Sequence, residues 1–207
     1  CIRDSSIPLH VRGDRRHMQD ADALSVRESV ALPLNLEMGN TPEMVDFALR
    51  LKPDYICMVP EKREEITTEG GLDAVFHEKD LAPTMARMAD NGIQVSLFID
   101  PEVPQVEAAA RLGAPMIELH TGCFANHSGR ERTEELARLK RAAELAHSLG
   151  IQVNAGHGIN YQNLEQLLAG VPCLHELNIG HTIVSRALFV GMEQAVREMR
   201  QAIDRLS

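Results

Sequence analysis

The sequence predicts an α/β fold, a TIM (β/α)8 barrel with extra helices. Three observations support this prediction. Short apolar segments bounded by turn residues alternate with helical patterns along the chain. Several helical patterns end at a Gly that is followed at once by the next apolar segment. The polar residues of the apolar segments lie mostly at their C-terminal ends. Alternation of this kind is typical of a parallel sheet with helical crossovers.

Seven segments are predicted to be strands because they are short, apolar and bounded by turn residues. In chain order they cover 6–11, 33–38, 55–61, 94–100, 116–122, 152–158 and 175–181. Helical patterns predict helices over 41–52, 80–92, 103–113, 130–150, 161–170 and, as the final helices, 187–207. Thr41, followed by Pro42, gives the first of these helices a capped start. The polar loop at 59–80 is predicted to be a binding loop or a lid.

The polar strand ends decide between a closed barrel and a doubly wound open sheet. In a barrel the carboxyl ends of all strands converge on one mouth, whereas an open sheet uses only the strands beside its switch point. All seven predicted strands carry such residues, at His10, Glu37, Glu61, Asp100, Glu118 with His120, His157 and His181. This favours the barrel. Because seven strands are one fewer than eight, we expect the first β/α unit to be absent from the sequence and residues 1–207 to form one domain.

The composition indicates a soluble globular protein of 207 residues with 44% hydrophobic and 25% charged residues. No apolar run approaches the roughly 18 residues that span a bilayer, so no membrane partner is expected. The formal net charge of -9 argues against nucleic-acid binding, which requires a broad basic surface. The four cysteines are far apart and form no CxxC pair, which indicates reduced thiols in a cytoplasmic protein.

The segment 9–18, LHVRGDRRHM, concentrates Arg and His residues in an acidic chain. Arg forks bind oxyanions bidentately, so the segment predicts a phosphate or carboxylate site, with a solvated basic loop as the alternative. Two later segments, 154–160 and 178–189, carry Gly-His at a strand end, and in each the strand end is followed by a helix. Gly admits a ligand close to the backbone, and helix N-termini bind phosphate, although each pair alone is also compatible with a simple turn.

Two carboxylates, Glu37 and Glu118, lie inside apolar strands and require partners if they are buried. One interpretation pairs them with Arg12 or backbone donors, and the other makes one of them a general acid or base assisted by His10, His157 and His181. His and Glu side chains at strand ends also suit zinc or manganese in a metal-dependent barrel aldolase or isomerase. Arg residues at the same mouth would repel a cation, so no metal is expected.

The sequence resembles the pyridoxine 5′-phosphate synthase (PdxJ) family, barrel enzymes that close the pyridine ring in vitamin B6 synthesis. The matching segments are 10–18, 34–38, 59–73, 93–100, 114–125, 153–158 and 175–181. The resemblance implies a transferase that condenses 1-deoxy-D-xylulose 5-phosphate with 3-amino-1-hydroxyacetone 1-phosphate. The products would be pyridoxine 5′-phosphate, inorganic phosphate and water. It also implies no metal or organic cofactor and a homo-octameric assembly.

The resemblance implies a role for each matching residue of this sequence. His10 and Glu37 match proton acceptors, and His157 matches a proton donor. Glu118 matches a carboxylate that stabilises the transition state. The matching substrate-binding positions are Arg12, His17 and Thr67 for the deoxyxylulose phosphate, and Gly158, Gly180 and His181 for the aminoketone phosphate.

The sequence departs from the family pattern at its start. Family members begin with a strand bearing an Asn-x-Asp-His pattern that this sequence lacks, and Gly13 stands where they usually carry an acidic residue. Three explanations compete: an N-terminal part outside the sequence, a truncation completed by a partner subunit, or an inactive homologue that only binds phosphorylated ligands.

Overall fold

The computed structural model describes residues 6–61 and 70–206. Its strands are β1 (Ile7–His10), β2 (Leu34–Met38), β3 (Tyr55–Met58), β4 (Gln94–Ile99), β5 (Met116–His120), β6 (Gln152–Gly156) and β7 (Leu174–Asn178). Its helices are α1 (Asp20–Ser29), α2 (Pro42–Leu51), α3 (Glu78–Asp90), α4 (Val103–Arg111), α5 (Gly122–Asn126), α6 (Gly129–Ser148), α7 (Leu164–Gly170), α8 (His181–Val190) and α9 (Met192–Leu206). The predicted alternation of strands and helices is confirmed.

The seven strands form one parallel sheet in which every strand pairs with the next one along the chain. A doubly wound sheet would contain a switch point at which this order reverses. The sequential order therefore confirms the predicted barrel class, here as an open form with β1 and β7 at the edges of the described sheet. The two edges approach each other, because Ser6 Oγ donates a 2.8 Å hydrogen bond to Glu176 Oε1.

Successive side chains of each strand point to opposite faces of the sheet. In β3, Ile56 and Met58 belong to the main apolar core, whereas Cys57 packs in a separate small cluster. In β5, Ile117 belongs to the main core and Glu118 lies on the opposite face. The outer face therefore carries the apolar residues that the helices cover, and the inner face is left for polar ones.

Helix α2 illustrates how sequence signals produce the helical layer. Thr41 Oγ1 accepts a 3.2 Å hydrogen bond from Met44 N at the start of the helix, and Lys52 ends it in the left-handed conformation with a φ of 52°. Met44, Phe47 and Leu51 recur at helical spacing and are buried against the core. The predicted helix over 41–52 is confirmed in both position and cap.

Two helices were not predicted from the sequence. Helix α1 buries only Ala23, so it lacks the apolar periodicity that identifies a surface helix. Helix α5 has five residues and begins at Gly122, which is a poor helix former. In both cases the helix forms in a tertiary setting that local sequence signals do not reveal.

The main core cluster extends from Leu9 in β1 to Ile203 in α9, and this continuity supports the proposal of a single domain. Helix α9 buries Ala195, Met199 and Ile203 on one face, whereas none of the residues of α8 is buried. Among the residues that the structure describes, no helix is both long and apolar enough to cross a membrane.

Gly71 makes the closest backbone approach to the end of β4. A Cβ atom at this position would lie 2.1 Å from Asp100 N and 2.5 Å from the carbonyl carbon of Ile99. The next residue confirms the contact, since Leu72 N donates a 2.7 Å hydrogen bond to Phe98 O. The neighbouring Gly70 has more space, with Asp100 Oδ2 as its nearest atom at 3.9 Å.

We therefore predict that Gly71→Ala destabilises the protein by about 1–3 kcal/mol, because the backbone at Gly71 or at Ile99 and Asp100 must shift to admit the methyl group. The matched variant Gly70→Ala should change the free energy of unfolding by no more than about 0.5 kcal/mol. Urea unfolding of both variants measures the difference. Equal effects of the two substitutions would contradict the close approach at Gly71.

Candidate active site

The carboxyl ends of the strands surround a cavity of about 620 Å³. Side chains from β1, β2, β4 and β5, and residues after β3, β6 and β7, contribute to its wall. The lining residues are Pro8, His10, Glu37, Val59, Phe98, Glu118, His157, Gly158, Ile159, Asn160, Asn178, Ile179, Gly180, His181, Thr182, Val184 and Ser185. This is the end of the sheet at which barrel enzymes carry their active sites.

The structure brings together seven of the ten residues that the sequence singled out, and these are His10, Glu37, Glu118, His157, Gly158, Gly180 and His181. Arg12 and His17 do not line the cavity. Thr67 lies outside the described residues. A larger cavity of about 1020 Å³ lies between α3 and α4 on the outside of the sheet, away from all of these residues.

His10 lies between two carboxylates at the mouth. Its Nδ1 atom is 3.7 Å from Glu37 Oε2, and its Nε2 atom is 3.4 Å from Glu61 Oε1. Glu61 is held in place by the backbone amides of Gly13 and Gly39, which donate hydrogen bonds of 3.0 and 3.2 Å to its two oxygens. One imidazole can therefore exchange a proton with a carboxylate on either side.

The two carboxylates around His10 differ in their proton affinity. Burial raises the pKa of Glu37, and the charge of His10 opposes this rise only in part. Burial also acts to raise the pKa of Glu61, but hydrogen bonds from His10 and two backbone amides lower it below the ordinary value. Glu61 is thus the stable anion of the group, and Glu37 is the carboxylate that more readily takes up a proton.

Glu118 is the most deeply buried carboxylate of the site, with 5% of its surface exposed. Burial, and then the charge of Glu37, raises its pKa to about 8. Asn178 Nδ2 donates a short hydrogen bond to Glu118 Oε2, and Cys57 Sγ lies 3.6 Å from the same oxygen. Gly156 makes room for the carboxyl group, since a Cβ there would lie 1.9 Å from Glu118 Oε1. Glu118 is therefore mainly protonated at neutral pH.

His157 follows β6 in an unusual backbone conformation, with a φ of 82°. Thr121, which is fully buried, stabilises this turn because its hydroxyl lies 2.7 Å from Gly156 O and 2.6 Å from His157 O. Burial lowers the pKa of His157, and the nearby His120 and His181 lower it further. The neutral imidazole is consequently favoured, and its protonated form is a stronger acid than an ordinary histidine.

The basic segment 9–18 is largely engaged in contacts within the chain. Arg15 adopts a φ of 55° and pairs with Asp20 at 2.6 Å and with Glu43 at 2.9 Å. Arg16 pairs with Asp14. Arg12 is buried, with 6% of its surface exposed, and its Nε atom lies 3.9 Å from Asp14 Oδ1. The alternative of a fully solvated basic loop is therefore wrong for Arg12 and Arg15.

Sequence reasoning left several residues of the site without a role. Glu61, Asp100 and His120 were recognised only as polar strand ends, although the same signal already identified Glu37 and Glu118. Asn178 and Cys57 were missed, because an amide or a thiol in an apolar strand is not unusual. Only the contact with Glu118 shows that these two residues belong to the site.

Comparison with known proteins identifies close relatives. Residues 4–205 match the family described as pyridoxal phosphate biosynthesis protein PdxJ. The chain is 99% identical over 202 residues to pyridoxine 5′-phosphate synthase of Akkermansia muciniphila, covering 98% of this chain and 82% of the relative. It is 50% identical over 200 residues to pyridoxine 5′-phosphate synthase of Idiomarina loihiensis, covering 96% of this chain and 82% of the relative.

Solved structures with a similar fold are more distant in sequence. The 3-keto-L-gulonate-6-phosphate decarboxylase of Vibrio cholerae superposes with a TM-score of 0.67 at 16% identity, covering 98% of this chain and 86% of that chain. Monomers generated from the dimeric phosphoribosylanthranilate isomerase of Thermotoga maritima give a TM-score of 0.59 at 10% identity, covering 97% of this chain and 88% of that chain. At these identities the likeness supports the fold alone.

The raised pKa of Glu118 predicts a pH-dependent stability. The native state keeps a proton that the unfolded chain releases above its ordinary carboxyl pKa of 4.5, so stability is lost as the pH rises toward 8. Glu118→Gln does not titrate and should become the more stable protein over this range, with a gap that grows by at most about 1.4 kcal/mol per pH unit.

Urea unfolding at pH 5, 6, 7 and 8 (roughly the window between the two pKa values) measures this gap. Glu131→Gln, at an exposed position of α6, is the matched control and should show a constant offset. Parallel pH profiles of the parent protein and Glu118→Gln would show that Glu118 does not hold the extra proton.

Proposed function

The chain belongs to the PdxJ family of pyridoxal phosphate biosynthesis proteins and has pyridoxine 5′-phosphate synthase activity, and we propose that the cavity at the carboxyl ends of its strands carries out this reaction. The proposed substrates are 1-deoxy-D-xylulose 5-phosphate and 3-amino-1-hydroxyacetone 1-phosphate. The proposed products are pyridoxine 5′-phosphate, inorganic phosphate and water. The activity belongs to vitamin B6 biosynthesis.

One observation carries the proposal: a single cavity holds titratable groups whose environments push their proton affinities apart. Glu118 in the cavity wall retains a proton at neutral pH, whereas Glu61, which contacts the cavity residue His10 from outside the lining, is ionised. Such divergence between neighbouring groups is the usual mark of acid and base roles. Imine formation, dehydration and ring closure consist mostly of proton transfers, so this set of side chains suits the condensation.

His10 and Glu37 are the proposed proton acceptors. The imidazole of His10 lies within 4 Å of both Glu37 and Glu61, so a proton that it removes from a substrate can be stabilised on either side. Glu61, whose pKa is lowered, remains anionic beside this imidazole. Glu37, whose pKa is raised by burial, accepts a proton more readily than an exposed carboxylate.

Glu118 is the proposed stabiliser of the transition state. As a neutral, buried carboxyl group, it can donate a hydrogen bond to an oxygen that gains negative charge during the reaction. Asn178 holds one carboxyl oxygen, which fixes the direction of the other. His157 faces the same cavity as the proposed proton donor, since its lowered pKa makes its protonated form readily give up a proton.

Two regions are proposed to hold the substrate phosphates. Gly158, Gly180 and His181 line the cavity, and Gly180 caps the N-terminus of α8. Backbone amides at a helix N-terminus attract phosphate oxygens, which supports an aminoketone phosphate site at this position. Arg12 and His17, which follow β1 and do not line the cavity, remain the proposed contacts for the deoxyxylulose phosphate, as does Thr67, which lies outside the described residues.

The direct test of the proposal is turnover of the two phosphorylated substrates by the purified protein. Release of inorganic phosphate together with a pyridine product would support it. Isothermal titration that detects binding of both compounds without any product would contradict the proposed pair of substrates.

We further propose that the chain assembles as a homo-oligomer, with an octamer as the implied form. The support is an apolar strip on α8 and the start of α9, in which Leu188 and Phe189 are 82% and 84% exposed and Val184 and Met192 are 54% exposed each. Large exposed apolar patches are typical of interfaces between subunits. Native mass spectrometry measures the subunit number, and a monomer would contradict this proposal.

A cytoplasmic location is also proposed. Cys57, Cys123 and Cys173 are free thiols in the described part of the chain, which is typical of a reducing compartment. Cell fractionation followed by detection of the protein tests this location.

For His157→Ala we predict a fall in kcat of about 10²–10⁴-fold, because the proposed proton donor is removed. The side chain lies at the cavity wall and not in the apolar core, so the melting temperature should change little. The control is His147→Ala, at an exposed position in the last turn of α6. Retained turnover in His157→Ala would remove the proposed role.

For Arg12→Ala we predict a rise in KM for the deoxyxylulose phosphate of about ten- to a hundredfold, since a charged hydrogen-bond donor to phosphate is lost. Because Arg12 is buried, Arg12→Lys serves as a second variant that keeps the charge and should show a smaller rise. Steady-state kinetics provide the measurement, with the exposed Arg141→Ala as control. An unchanged KM in both Arg12 variants would contradict the assignment.

A further inference from the structure

A pair of polar side chains behind His157 has no role in the proposed chemistry. Asp100 follows β4, His120 ends β5 and His157 follows β6, so the three residues lie on consecutive strands. His120 Nδ1 is 3.0 Å from Asp100 Oδ1. The ring of His120 meets the ring of His157 edge to face, with centroids 5.1 Å apart and an interplanar angle of 67°.

His120 is fixed from several sides. It is 4% exposed, and its other neighbour, Phe98, packs edge to face with a centroid distance of 5.2 Å. Gly122 leaves the space that the ring occupies, because a Cβ there would lie 2.4 Å from His120 Nε2 and 3.2 Å from His157 Cδ2. The lack of a side chain at Gly122 therefore allows the rings of His120 and His157 to occupy this space.

Asp100 determines which nitrogen of His120 carries a proton. The hydrogen bond from His120 is the largest influence on the pKa of Asp100 and lowers it, so the carboxylate is ionised and Nδ1 is the donor. The same Asp100 oxygen also accepts a 3.1 Å hydrogen bond from Gly71 N. Two donors from different segments thus hold the carboxylate, and the carboxylate in turn holds the imidazole.

The remaining nitrogen, His120 Nε2, is buried and has no hydrogen-bond partner among residues 6–61 and 70–206. A buried imidazole nitrogen without a partner is unfavourable, so the position is not explained by stability alone. His120 and His157 are in ring contact and not hydrogen-bonded to each other through Nε2 of His120, so no direct proton exchange takes place through this atom in this arrangement. The fixed ring of His120 instead forms a surface against which the ring of His157 packs.

We propose that Asp100 and His120 form a positioning pair that orients the imidazole of His157 for proton transfer to the substrate. This inference rests on the proposed role of His157. Asp100 fixes the rotation of His120, Phe98 and Gly122 fix its depth, and the ring of His120 then limits the orientations open to His157. Thr121 contacts only the backbone of His157. Asp100 and His120 add the restraint on the side chain of His157.

The test uses substitutions that separate the hydrogen bond from the ring contact. Asp100→Ala removes the acceptor, whereas Asp100→Asn keeps an oxygen that can accept from both His120 and Gly71. His120→Ala removes the ring, and His120→Asn keeps a donor near the Nδ1 position but removes the ring that packs against His157. His77→Ala is the matched control, because His77 also contacts a carboxylate, Asp80 at 3.7 Å, and an aromatic ring, that of Phe76, but does not line the cavity at the carboxyl ends of the strands.

The positioning role predicts a fall in kcat of about ten- to a hundredfold in Asp100→Ala, His120→Ala and His120→Asn, with KM for both substrates within about threefold of the parent value. Asp100→Asn should retain kcat within about threefold, and His77→Ala should be unchanged. Thermal melts of all variants accompany the kinetics, and the two Asn variants keep the test decisive if an Ala variant fails to fold.

Several results would overturn the inference. One is a kcat of His120→Asn equal to that of the parent protein. Another is a change of KM without any change of kcat in the Asp100 and His120 variants. A third is an equal fall in kcat in Asp100→Asn and Asp100→Ala, which would mean that the charge of Asp100 and not the position of His120 matters. The outcome is distinguishable from a failure of the proposed function. If His157→Ala keeps its turnover, the role of His157 itself fails. If His157→Ala is inactive while the Asp100 and His120 variants are active, only the positioning pair fails.

Discussion

The alternation of side chains along seven parallel strands is the constraint on which the rest of this structure depends. Every second residue must face the helices, and in β3 and β5 these residues are Ile56, Met58 and Ile117, which join the main core. The residues between them face the concave side of the sheet, where Cys57 and Glu118 lie. The apolar core between the sheet and the helices supplies the stability of the fold. The inner face can therefore carry polar residues, although their burial is unfavourable.

The concave face turns similar carboxyl groups into groups with different proton affinities. Glu61 receives hydrogen bonds from two backbone amides and lies beside His10, so it remains ionised. Glu118 lies deeper, near the charge of Glu37, and has one amide and one thiol as neighbours. The depth of burial, the neighbouring charge and the hydrogen bonds that reach each carboxylate together decide whether it is an anion or a neutral acid.

Precision at the mouth comes from restraints on backbone and rings that cross from strand to strand. The turn at His157 has a positive φ and is held by Thr121 from the neighbouring strand end. The rings of Phe98, His120 and His157 are in contact across β4, β5 and β6. A site built on consecutive strands can be held more rigidly than one on a single loop, since each strand is already fixed by its ladder of hydrogen bonds.

Much of the fold and part of the site follow from the sequence by itself. The order of strands and helices and the strand-end positions of His10, Glu37 and Glu118 are encoded in local periodicity. Helix α1 could not be predicted in this way, because a helix that buries only Ala23 leaves no periodic signal. The tertiary structure alone decided which groups meet: Glu118 with Asn178, sixty residues apart, and His120 with Asp100. It also decided that Arg12 lies off the cavity wall. Periodicity determines which face of its own strand a residue occupies, but its partners depend on the register between strands and on the curvature of the whole sheet.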